Sequence, residues 1–318
     1  MNKNEVRKVY RSGKGSYILT LPKEWIVANS VKEGDIVYLK VQKDTILISL
    51  KSRQVKEKSA EIDNRDANFN QLVRLIISYY LASYDLIKIK TYTDEQRRSV
   101  AYAVDMLVGA EIMEDTGNEI VVEVFLDWKR FNFADVTEKL FKICISMLSD
   151  FCTCLKNFNR AMCGSIIVRE NEVDKIHFLA LRLLNIAVEG EEIGLSAREI
   201  VNYRSIIKAL ERIADHISSM AEALVNLQSS FPGIYNTVKE AEEMLKTTMI
   251  SFHKKDVEMA EEVLEKYEIF KNKIQKNYRE ILKSDIVRAL NLKTIFDSLW
   301  RVAAYSSDIA EIVLDISV

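Results

Sequence analysis

The sequence predicts a multidomain α+β chain: a small β-rich head, an α+β connector, and a long, mostly helical body of two three-helix units. Three observations carry this. First, only 9 glycines and 2 prolines occur in 318 residues, which favours long uninterrupted helices. Second, the hydrophobic period changes along the chain, from short alternating runs before residue 127 to three- and four-residue steps after residue 135. Third, Ala209–Glu222 aligns without a gap to Ser298–Glu311, an internal repeat in the helical part.

Charge divides the chain in the same way. Residues 1–58 hold 13 Lys/Arg against 6 Asp/Glu, so a head of net +7 precedes a remainder of −9. A basic head on an acidic body points to a polyanion met by the head alone. No apolar run approaches the roughly 20 residues of a membrane span, and the N-terminus has no signal-peptide core. Cys144, Cys152, Cys154 and Cys163 form no CxxC pair and read as reduced, buried helix residues of a cytoplasmic protein.

Within residues 1–51, Val6, Val9 and Tyr10 mark a first strand and Ser12–Gly15 a turn. Tyr17–Thr20 is a second strand, Pro22 opens a helix to about Asn29, and Lys32–Asp35 turns the chain. Ile36–Val41 and Thr45–Ser49 form a hairpin. Fewer than about 50 residues make a marginal core, so this head needs a partner chain. Residues 52–66 lack a hydrophobic period and read as a linker.

Residues 67–127 form the connector. A helix carries Phe69, Leu72, Val73, Ile76 and Tyr80, and Leu86–Lys90 is a strand. Asp94 caps a second helix, and Glu111–Met113 pairs with Glu119–Val124 across Thr116–Asn118. The body reads as helices over 135–160, 163–189 and 196–228, then 236–252, 255–283 and 287–315. The units 135–228 and 236–318 are separated at Ser229–Gly233.

Glu211 and Asp215 lie one turn apart beside the apolar seam of Leu210, Ile213 and Ile217. Two readings are open. The acids are an edge pair held by Arg212 or by lysines of a neighbouring helix, or they hold a metal.

Two blocks of motifs carry resemblances. Arg7-Lys-Val9, Gly13–Tyr17, Leu21–Trp25 and Val31–Asp35 resemble the AbrB/SpoVT/MazE family, whose interlaced β-hairpin dimers bind DNA. The resemblance implies DNA contacts by Arg7, Lys8, Arg11 and Lys14; the other reading of these residues is solvated charge on a dimerisation module. The block Glu211-Arg-Ile-Ala-Asp-His216, with Val168–Asp174, resembles the PhoU family, whose members pair two three-helix bundles. It implies a site for iron, zinc or another divalent cation at Glu170, Asp174, Glu211 and Asp215. In the second unit Trp300 and Ala304 stand opposite Glu211 and Asp215, and aligning residues 263–270 with 167–174 puts Lys266 and Phe270 at the other two positions. At most one site, in the first bundle, is therefore expected.

Both parts together resemble archaeal-type phosphate uptake regulators. That implies a homodimeric transcription regulator with DNA as partner. The alternative is an interaction protein for a phosphate transporter ATPase or a signalling protein, with a head that only dimerises. Nucleophile–base pairs and a phosphate-cradling glycine loop are missing from the sequence, so no enzyme is expected.

Overall fold

In a computed structural model, the structure describes residues 5–13, 15–41, 46–50, 58–189, 193–278, 281 and 284–317. The chain divides into two compact units, Met1–Lys56 and Glu57–Val318.

In the first unit β1 (Tyr10–Ser12) pairs antiparallel with β2 (Ser16–Ile18), with Tyr10 opposite Ile18. Gly13 enters the turn at φ +65°, a conformation costly for a side chain. The strand expected at Val6 begins only at Tyr10, because no described segment of this chain pairs with residues 6–9. α1 (Lys23–Ala28) follows Pro22, as expected. Then β3 (Tyr38–Val41) pairs with β4 (Ile46–Ser49); the turn at 42–45 lies outside the described residues. None of the described residues of this unit is buried. Val6, Tyr17, Ile36 and Val41 are each 70% or more exposed.

The second unit begins with β5 (Ser59–Ile62), α2 (Phe69–Leu81), β6 (Leu86–Lys90), α3 (Asp94–Asp105), β7 (Ala110–Asp115) and β8 (Glu119–Val124). The sheet order is β5-β6-β8-β7, with β5 parallel to β6 and the other pairs antiparallel. β5 corrects the linker reading of 52–66: Ser59-Ala-Glu-Ile62 has little strand pattern, yet it closes the sheet edge and buries Ile62. A second correction concerns α3, whose cap is Thr93, accepting from the Gln96 N–H; Asp94 is its first residue. The alternating Ile87 and Ile89, with Ile120, Val122 and Val124, pack under Leu72, Ile76, Tyr80 and Val100.

The body is α4 (Phe133–Lys156), α5 (Arg160–Val188), α6 (Ala197–Leu227), α7 (Tyr235–Lys254), α8 (Val257–Asn277) and α9 (Ile286–Ser317). Asn132, Asn159, Ser196 and Asp256 cap α4, α5, α6 and α8. The predicted helices are reproduced to within a few residues, except that α8 ends at Asn277 and not at 283. One apolar core runs through both bundles. Its centre is the α6–α9 pair, in which Ile206, Leu210, Ile213 and Leu224 of α6 repeat as Ile295, Leu299, Val302 and Val313 of α9, all fully buried. The offset of 89 is that of the aligned repeat.

Connector and body are joined on α5. Arg182, 2% exposed, donates to the carbonyls of Tyr80 and Tyr84 and to Asp85, and its guanidinium lies over the Tyr80 ring at 4.8 Å. Asn185 donates to the Leu81 carbonyl, and Lys58 pairs with Glu189. Removing one partner of a buried pair costs roughly 3–5 kcal/mol. Arg182→Met should therefore lower the free energy of urea unfolding by about 3 kcal/mol. A loss under about 1 kcal/mol would show that the connector is held without this contact.

Candidate functional site

The predicted acids lie on the facing sides of α5 and α6. One carboxylate oxygen from each of Asp174, Glu211 and Asp215 lies within 4.8 Å of the others. Glu170 is outside this triplet, which corrects the four-ligand expectation. It sits one turn before Asp174, yet still raises the pKa of both Asp174 and Asp215.

The cluster is only partly neutralised. Glu211 Oε1 accepts from Lys208 Nζ at 2.7 Å, and Asp215 Oδ2 from Arg212 Nη1 at 3.3 Å. Both cations come from α6 itself, at i,i+3 spacings visible in the sequence. Glu211 Oε2 is buried and makes no hydrogen bond among the described residues; Arg212 Nε lies 3.7 Å from it. Asp174 has no ion pair among the described residues. Burial first, then Glu170, Asp215 and Glu211, push its carboxyl up to about 7. Burial first, then Glu211 and Glu170, push Asp215 up to about 6. The edge-pair reading thus accounts for Glu211 and Asp215 but not for Asp174.

The histidines flank the cluster. His177 is 4% exposed, its Nδ1 is buried without a partner, and burial holds its pKa down at about 4. His216 turns toward α9, with Nδ1 3.3 Å from Ser298 Oγ and its ring stacked on Tyr305.

Three converging hard oxygens, a buried carboxylate oxygen lacking a donor and two carboxyls with raised pKa fit a divalent or trivalent cation. The second bundle offers no counterpart among the described residues. Trp300 and Ala304 take the α6-equivalent places, as expected. On α8 the register differs from the expected one. Cys163, Ile166, Val173 and His177 correspond in burial to Ala260, Val263, Phe270 and Ile274, an offset of 97 and not 96. The residues opposite Glu170 and Asp174 are therefore Tyr267 and Lys271, while Phe270 is core and Lys266 pairs with Glu262. Trp300 Nε1 donates to Tyr267 Oη at 3.2 Å, filling the place of the carboxylates.

On the head, Arg11 lies in β1, and Arg7 and Lys8 in the extended segment before it; all three are exposed. Arg7 pairs with Glu5. Lys14 lies outside the described residues.

The family model described as "PhoU domain" matches residues 137–224 and again 236–313, just over half of the chain. That of "Antidote-toxin recognition MazE, bacterial antitoxin" matches residues 10–58. No curated protein matches. Among solved structures, the phosphate transport system regulatory protein PhoU from Streptococcus pneumoniae superposes with a TM-score of 0.53 at 18% identity, covering 57% of this chain and 91% of that one. PhoU from Pseudomonas aeruginosa gives 0.49 at 16% identity, covering 57% and 93%.

Asp174 and Asp215 are raised above their ordinary value of 3.8, so the folded chain binds more protons than the unfolded chain between about pH 4 and about 7. Their contribution to stability is present below that window and is lost as pH rises through it. In chelator, Asp174→Asn should match the wild-type Tm near pH 4 and exceed it near pH 8. A Tm difference independent of pH would contradict the clustering.

Proposed function

The chain belongs to the PhoU family, and from that premise we propose that it is a dimeric DNA-binding regulator of phosphate uptake. The observation that carries the proposal is the joining of a basic MazE/AbrB-like head to a complete pair of PhoU bundles. PhoU of Streptococcus pneumoniae is described as a phosphate transport system regulatory protein. A head that can grip DNA gives such a regulator a direct route to transcription.

The physics of the head supports this. Its apolar side chains have no core of their own, and a second copy of the chain supplies one. Dimerisation also doubles the basic surface of Arg7, Lys8, Arg11 and Lys14, whose charges neutralise phosphates and release counterions. In the body, Asp174, Glu211 and Asp215 would hold a divalent or ferric cation such as zinc or iron. Bound there, the metal supplies positive charge that relieves the like-charge repulsion between α5 and α6. Glu170 adds negative potential from one turn away, and Lys208 and Arg212 neutralise the cluster only in part. The role is regulatory and not catalytic.

DNA retention tests the head. With six to eight phosphate contacts per dimer, affinity should fall by roughly three to four orders of magnitude between 50 and 200 mM salt. Neutralising Arg7, Lys8, Arg11 and Lys14 together should remove most of that slope. A flat salt profile, or binding that survives the neutralisation, would favour a head that only dimerises and a body that acts by docking on a transporter ATPase or signalling protein.

A further inference from the structure

All four cysteines fall within residues 144–163, and the fold brings two of them together at the turn between α4 and α5. Cys154 lies in the last turn of α4 and Cys163 in the first turn of α5. Between the two helices the chain reverses in three residues, Asn157, Phe158 and Asn159. The Asn159 carbonyl marks the meeting point. It accepts the Cys163 N–H at 3.0 Å and lies 3.9 Å from Cys154 Sγ. The two thiols are also hydrogen-bonded to each other, and both are free and buried. The other two cysteines are engaged elsewhere. Cys144 donates to the Leu210 carbonyl of α6 at 3.4 Å, and Cys152 to Glu242 Oε2 of α7 at 3.7 Å.

We propose that Cys154 and Cys163 are a redox-active pair, which hydrogen peroxide converts to a disulfide across the α4–α5 turn. The Cys154 thiolate attacks one peroxide oxygen. An S–O bond forms, the O–O bond breaks, and the departing hydroxide takes up a proton to leave as water. The Cys163 thiolate then attacks the sulfenic sulfur. The S–S bond forms, the S–O bond breaks, and the hydroxide leaves as a second water with the Cys163 proton. The two sulfurs together lose two electrons, and the peroxide gains them.

The order of attack follows from the contact between the thiols. Burial pushes Cys154 up, and the Cys163 thiol beside it opposes that push. Burial first, and then Cys154, push Cys163 up to about 12. Cys154 is therefore the better thiolate and Cys163 the resolving thiol. Peroxide reaches them by opening of the turn, where Asn157, Asn159, Arg160 and Ala161 are exposed. The bridge would pin the start of α5, the helix that carries Asp174 and the Arg182 contact to the connector.

The test is peptide mapping of the folded full-length protein. It is treated with hydrogen peroxide in chelator, blocked with iodoacetamide in denaturant, and digested without reduction. The wild type should yield one intramolecular link, Cys154 to Cys163, that dithiothreitol reverses, with the free thiols falling from four to two. The combined variant Cys144→Ser, Cys152→Ser should still form the link, and Cys154→Ser should not. The wild-type map needs no variant, so a variant that fails to fold leaves the test standing. Four unreacted thiols, a link between any other two cysteines or between chains, or sulfinic acid without a link would each overturn the proposal.

Discussion

The seam between α6 and α9 is the constraint from which the rest of the body follows. Each helix presents the same buried period, so two three-helix units close against each other and share one apolar core. A seam of Ile, Leu and Val at this density contributes roughly 1.5–3 kcal/mol per fully buried side chain. It therefore constrains both helices strongly and leaves their flanks free to vary. The functional features lie on those flanks. On the flank of α6 that faces α5 lie the acids Glu211 and Asp215, with Lys208 and Arg212 bonded to them.

The repeat shows what duplication preserves. Ile206, Leu210 and Ile213 persist as Ile295, Leu299 and Val302. Off the seam, Glu211 becomes Trp300 and Asp174 becomes Lys271. A tryptophan bonded to Tyr267 packs the second copy where the first tolerates carboxylates that are only partly compensated. Carboxyls raised to about 7 and about 6 weaken the first bundle at neutral pH, a cost that a cation bound as proposed would offset. Through Arg182 and Asn185 the same α5 that carries Asp174 is bonded to the connector, so the cluster and the connector share one rigid element.

Most of the body was legible in the sequence because helical periodicity over 20 to 30 residues is redundant. The strand Ser59–Ile62 was not, since one isoleucine gives no period and its partner β6 lies 27 residues away. The carboxylate cluster was legible as spacing, but its membership was not. Glu170 and Asp174 are equivalent in a one-dimensional pattern, and only the crossing of α5 and α6 brings Asp174 nearer. The α8 register slipped by one because Val263-Leu264 and Ile269-Phe270 are adjacent apolar pairs that fit the repeat at either offset; Ala260 and Ile274, outside the short alignment, set it.

The central claim is that one bundle of a repeated body carries a cation site built on Asp174, Glu211 and Asp215. Elemental analysis of the purified full-length chain after dialysis tests it most directly, in the wild type and in the combined variant Asp174→Asn, Glu211→Gln, Asp215→Asn. The account predicts tightly held metal in the wild type and none in the variant. Equal metal content in the two, or none in the wild type after reloading with zinc or iron, would contradict it.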